Sequence, residues 1–109
     1  MDLDPQTRAA IAAFRQGVER LYGNRLEAVL LFGSRARGDF RDDSDLDLAV
    51  VLRDRPGDPL DEADRIMDAV FVPTMDAGRV VQPLVLSVGD LKSSQHPLIQ
   101  GVRAEGVPV

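Results

Sequence analysis

Two aspartates one residue apart, Asp45 and Asp47, open the apolar run Leu46 to Leu52, and an earlier apolar run ends in Gly33-Ser34. In an extended strand, residues i and i+2 share a face, so the two carboxylates stand side by side where the strand begins. Like charges that close repel, and the arrangement costs free energy unless water or a cation screens it. A hard divalent cation such as Mg²⁺ prefers one or two carboxylates completed by substrate phosphates. Gly33 and Ser34, ending one strand and opening a helical turn, present backbone N–H groups and a hydroxyl, the ingredients of a phosphate cradle. Taken singly, a Gly-Ser turn and an Asp-rich loop entry are ordinary turn chemistry. Together, at the ends of two successive strands, they describe a site for a metal-bound phosphate. It is neither a P-loop nor a dinucleotide fingerprint, since no Gly-Lys-Ser/Thr occurs and Gly33 with Gly38 does not make G-x-G-x-x-G.

The elements that must position these groups follow from periodicity and caps. Asp4-Pro5 is an N-cap with proline at the first helical position, and Ile11, Phe14, Val18 and Leu21 repeat at helical spacing, predicting a helix from Pro5 to Tyr22. Gly23 and Asn24 accept positive φ, and Leu26 to Phe32 reads as a buried strand. Arg35 to Gly38 is long enough for one helical turn, Asp39 to Ser44 is polar loop, and Leu46 to Leu52, apolar on both faces, suits a central strand. Asp58-Pro59 repeats the cap-and-proline signal, with Ala63, Ile66, Met67, Val70 and Phe71 as the core stripe of a helix that Pro73 ends or kinks. Val80 to Leu86 is a third strand, at or near an edge because Pro83 cannot donate to a ladder. Ser87 with Asp90 resembles a capping box. Pro97 to Glu105 reads as a last helix with Leu98, Ile99 and Val102 inward, followed by Gly106 and an extended stub, Val107 to Val109. The order predicts one α/β or α+β domain over residues 1–109, a small mixed sheet flanked by helices. Tyr22 is expected to pack with its hydroxyl at the surface, His96 to start a helix, and Arg35 to be solvated.

Composition narrows the function. The chain has 109 residues and a formal charge of −5, with Lys92 the single lysine beside twelve arginines. No cluster of Lys and Arg escapes nearby carboxylates, which argues against a nucleic-acid clamp. The absence of cysteine excludes disulfides, thiolate catalysis and Cys-ligated metal. The first residues lack the charged and apolar regions of a signal peptide, and no apolar run approaches the ~20 residues of a membrane span, so a soluble, cytoplasmic protein is expected.

The stretch Leu30 to Leu52, LLFGSRARGDFRDDSDLDLAVVL, resembles the polymerase β-like nucleotidyltransferase superfamily: a strand, G-S, a helical turn closing in G, then D-x-D at the next strand. Within it, GSRARGD and SDLDLAVV look like the minimal nucleotidyltransferases, small chains often encoded beside a helical partner of the HEPN type. The resemblance implies that Gly33 and Ser34 hold the triphosphate of ATP or another NTP, that Arg37 steadies it, and that Asp45 and Asp47 are the catalytic Mg²⁺ ligands. It implies transfer of AMP to a hydroxyl of a HEPN-like partner. Members of the superfamily usually carry a third carboxylate on the later strand, and Val80 to Leu86 has none, with Asp76 before it and Asp90 after. A catalytically weak binding module and transfer to a small molecule or an RNA end therefore stay open, and an oligomer is compatible with the size.

Overall fold

The computed structural model describes residues 3–38 and 45–109, so the polar loop expected at Asp39 to Ser44 lies outside the described residues. The elements are α1 (Pro5–Tyr22), β1 (Leu26–Phe32), α2 (Ser34–Arg37), β2 (Leu46–Leu52), α3 (Pro59–Asp76), β3 (Val81–Ser87), α4 (Val88–Ser93), α5 (Pro97–Glu105) and β4 (Val107–Pro108). A short 3-10 turn, Gly23–Arg25, joins α1 to β1. Gly23 takes positive φ there, but Asn24 does not. The caps are those the sequence predicts: Asp4 accepts from the Thr7 N–H, Asp58 from Leu60 and Asp61, and Ser87 from Asp90.

Among the described residues the strands form one mixed sheet in the order β3-β2-β1-β4. Strands β1 and β2 pair antiparallel, β2 and β3 parallel, and the stub β4 antiparallel to β1. Strand β2 is thus central, and all of it but Asp47 is buried. Alternation divides its side chains between two layers. Leu46, Leu48, Val50 and Leu52 pack with Phe14, Val18, Ile66 and Val70 of α1 and α3. Ala49 and Val51 face the other way, toward Val102 of α5 and the side chains of α4. Asp47, in phase with Ala49, therefore emerges on the α4/α5 side of the sheet.

The edge position of β3 is as expected. The Leu46 N–H donates to the Val80 carbonyl, which sets the phase of the parallel ladder: even-numbered residues of β3 bond to β2 and odd-numbered ones turn outward. Pro83 is odd, so its missing N–H removes nothing from the sheet.

Three expectations about side-chain burial on α1, α3 and α5 are corrected, and of the two outcomes expected at Pro73 the structure excludes an end to the helix. Phe71 is not core but 53% exposed, because the buried line of α3 runs Glu62, Ile66, Val70, Thr74. That line is set by α1: a Cβ on Gly17 would lie 2.4 Å from Val70 Cγ1, so the two helices meet at Gly17 and Val70, and Phe71 is rotated outward. Tyr22 is buried whole, its hydroxyl donating to the Glu62 carboxylate, which also accepts from Arg65 at 3.0 Å. Burial first, then the neighbouring carboxylate, pushes the Tyr22 phenol well above its usual range. Pro73 does not end α3, which continues to Asp76, where the Thr74 hydroxyl donates to the Val70 carbonyl at 2.8 Å. On α5, Val102 is buried as expected, while Leu98 is largely exposed.

Candidate active site

Gly33 is the hinge between the two halves of the motif. It leaves β1 at φ +75°, a conformation a side chain would strain. A Cβ there would also lie 2.3 Å from Asp47 Oδ2, so the carboxylate rests against the glycine backbone. The antiparallel register explains the contact, since Phe32 stands opposite Asp47 and Gly33 follows it. The turn α2 closes with the Arg37 N–H on the Gly33 carbonyl (3.1 Å) and the Gly38 N–H on Ser34 (2.9 Å). Helix geometry leaves the leading amides of such a turn without i−4 acceptors, beside the Ser34 side chain.

A cleft of about 570 Å³ opens here on the α4/α5 face, with Gly33, Ser34, Arg37, Asp47, Gln82 and Glu105 in its walls. Four of the five residues predicted for the site line it directly. The fifth, Asp45, is joined to it through Gln82, whose Nε2 donates to Asp45 Oδ2 at 3.2 Å. Burial raises the Asp47 carboxyl above the ordinary carboxylate range, the neighbouring Asp45 charge adds to this, and Arg37 offsets part of it. The site thus carries concentrated negative charge that a cation would relieve.

The residues present fit a divalent ion brought in with a triphosphate. Asp45 and Asp47 are hard oxygen donors, and among the described residues no group of three or more His, Cys, Asp or Glu could complete a metal site without the nucleotide. Strand β3 brings no acid to the two aspartates. The parallel register sets Gln82 opposite Asp47, so an amide stands where a carboxylate would share the aspartates' face. Asp76 ends α3 and Asp90 lies in the first turn of α4, and neither lines the cleft.

Glu105 escaped sequence reasoning. It ends α5, 68 residues from Arg37 along the chain, and pairs with its guanidinium at 3.2 Å. Only the tertiary fold brings them together. Gln82 left one signal, as the single non-apolar side chain of β3 before Ser87. Arg35, expected in solvent, is buried, with a nitrogen 4.0 Å from Asp4. His96 is the α5 N-cap, its Nδ1 accepting from the Leu98 N–H at 3.2 Å.

Residues 18–106 match the family model described as Polymerase beta, Nucleotidyltransferase. A Methanocaldococcus jannaschii protein named as a candidate protein adenylyltransferase, MJ1305, is 32% identical over 90 residues, 82% of this chain. The chain spans 61% of that relative's length. The structure of a candidate minimal nucleotidyltransferase superposes with a TM-score of 0.60 at 26% identity, covering 98% of this chain and 97% of that one. A toxin–antitoxin crystallised with AMP-PNP shares the fold, with a TM-score of 0.56 at 22% identity over 96% of this chain and 72% of its own.

Proposed function

The chain belongs to the polymerase beta nucleotidyltransferase family, and from that premise we propose that it is a Mg²⁺-dependent adenylyltransferase that moves AMP from ATP to a hydroxyl of a HEPN-like helical partner, as the antitoxin of that pair. The observation that carries this reading is the contact of Gly33 with Asp47, which puts a phosphate cradle and a cation-hungry carboxylate at one point. The name of the archaeal relative and the toxin–antitoxin neighbour support it. Ser34 and the amides of α2 bind the triphosphate, and Arg37, held by Glu105, faces its charge. The acceptor oxygen attacks the α-phosphorus, the bond to the bridging oxygen breaks, and pyrophosphate leaves with the electron pair. Mg²⁺, held by Asp45 and Asp47 when bound, supplies neutralisation of charge on the phosphates.

In this mechanism the acceptor's proton has no carboxylate to receive it at Gln82, a loss typically worth ~10² to 10⁴ in rate. The open cleft and the amide at Gln82 therefore favour a chain that is active only when its partner brings the hydroxyl and its proton acceptor. The same amide favours a second reading, a nucleotide-binding module that assembles without transferring. Incubation of the purified chain with labelled ATP and Mg²⁺, alone and with a HEPN-like protein encoded beside it, separates the two by mass spectrometry. Covalent AMP on the partner is the expected result. ATP bound with no transfer in either mixture selects the binding module, and vigorous transfer to arbitrary hydroxyls by the chain alone overturns the dependence on a partner.

A further inference from the structure

The outer side of α3 is an unusual surface for a helix of this chain. Phe71, Val72 and Met75 are 53%, 64% and 46% exposed, and Leu60 at the helix start is 77% exposed. Single exposed apolar residues are ordinary, but here three fall within five consecutive positions of one helix and lie side by side along its last two turns. Contiguous apolar surface of this kind marks interaction sites. The preceding turns of the same side carry Asp61, Asp64 and Asp68, and Asp76 closes the helix, all exposed. None of these four forms an ion pair among the described residues, whereas the inward Glu62 is taken by Arg65. Helix-dipole stabilisation accounts for Asp61 in the first turn, not for Asp64 and Asp68 further along.

We propose that this face of α3 is the docking surface for a helix of another protein that carries an apolar stripe flanked by Lys and Arg. Charge selects this occupant. A second copy docked face to face on α3 brings no positive charge to the aspartates: they would meet each other if the helices ran parallel, and Phe71, Val72 and Met75 if they ran antiparallel, while an anionic membrane surface would be repelled by the same row. A helix with basic flanks satisfies both parts of the surface, covering Phe71, Val72 and Met75 while pairing with Asp64 and Asp68. The inference does not rest on AMP transfer. Helix α3 lies on the opposite side of the sheet from the cleft, so a helix docked there leaves the nucleotide site open.

The probes are two synthetic helices of α3's own length, 18 residues, with the same leucine stripe, one flanked by Lys and Arg and the other by Glu. Each is titrated calorimetrically into the full chain. The basic helix should bind and the acidic one should not, with binding weakened by salt. The double variant Phe71→Gln, Met75→Gln should raise the basic helix's Kd at least tenfold, and Asp64→Lys with Asp68→Lys should shift preference to the acidic helix. Light scattering and thermal melting of each variant accompany the titrations. Only small changes in melting temperature are expected, because Asp64 and Asp68 are exposed and about half of Phe71 and Met75 already faces solvent. Equal binding of both helices, or indifference to the substitutions, overturns the proposal. So does a self-association of the wild type that Val72→Gln abolishes, which would make the occupant a second copy. A clear drop in melting temperature on Val72→Gln and Phe71→Gln alike would place these residues in the chain's own packing, and also overturns it.

Discussion

Replacing Gln82 by glutamate puts a carboxylate where the register of β2 and β3 has room for one. In Gln82→Glu the Nε2 donor to Asp45 is lost, a hydrogen bond worth about 1 kcal/mol net. The new charge would then face Asp45 at hydrogen-bonding distance and share a side of the sheet with Asp47. Two unit charges 4 Å apart repel by about 4 kcal/mol at an effective dielectric of 20, but both Asp45 and Gln82 are exposed, and solvent reduces such a term to roughly 1 kcal/mol. In EDTA the variant should therefore be about 1–2 kcal/mol less stable than wild type. Millimolar Mg²⁺ with ATP should return more than that loss, because a third hard ligand stabilises the loaded form. Denaturant titrations in EDTA and in Mg²⁺-ATP measure both quantities. If the absent acid limits transfer, AMP incorporation into the partner should rise by ~10² or more. Equal stability of variant and wild type in EDTA together with no gain from Mg²⁺-ATP would refute the geometry argued for Gln82. Tighter Mg²⁺-ATP with unchanged transfer would show that proton removal at this position does not limit the reaction.

Further substitutions probe the packing and electrostatics around the site. Gly17→Ala gains helix propensity of about 1 kcal/mol, but its Cβ meets a β-branched Val70 that is stiff in a helix, so a net loss of about 1–2 kcal/mol is expected in urea titrations. Tyr22→Phe leaves the buried Glu62 with Arg65 as its remaining partner and should cost about 1–3 kcal/mol, while Phe71→Leu on the exposed side of α3 should cost almost nothing. Because the Tyr22 phenol is raised above its ordinary 10.0, the stability it contributes is complete below pH 10 and declines above it, where the unfolded phenol ionises first; Tyr22→Phe should flatten that decline. For Asp47 the folded carboxyl is raised above 3.8, so its ionisation opposes folding and wild-type stability falls as pH rises through the window above 3.8. Melting curves of Asp47→Asn should therefore gain on wild type from pH 3 toward 7, even as Mg²⁺-dependent ATP binding is lost.

Local signals carried most of the architecture. Asp4, Asp58 and Ser87 each cap the helix that they predict, and the apolar runs became the three long strands with shifts of at most one residue. Both halves of the candidate site were legible because their geometry is short-range: alternation for Asp45 and Asp47, a strand-to-turn junction for Gly33 and Ser34. What could not be read depends on distant partners. Phe71 belongs to the apolar pattern of α3, but which residues turn inward is decided by Gly17 on another helix. The burial of Tyr22 needs Glu62, 40 positions away, and the place of Glu105 beside Arg37 needs the whole sheet between them. Gln82 was visible as a residue and became part of the site only through the register with β2.

The two borders of the sheet each carry a proline, Pro83 on β3 and Pro108 on β4. Pro83 turns its ring outward at a place where an incoming strand would need an amide, and β4 offers only two residues to pair with. Neither border can be lengthened by a regular ladder of hydrogen bonds, so strands of neighbouring molecules find no template for growth. The exposed apolar side chains Phe71, Val72 and Met75 lie on a helix, away from both strand borders.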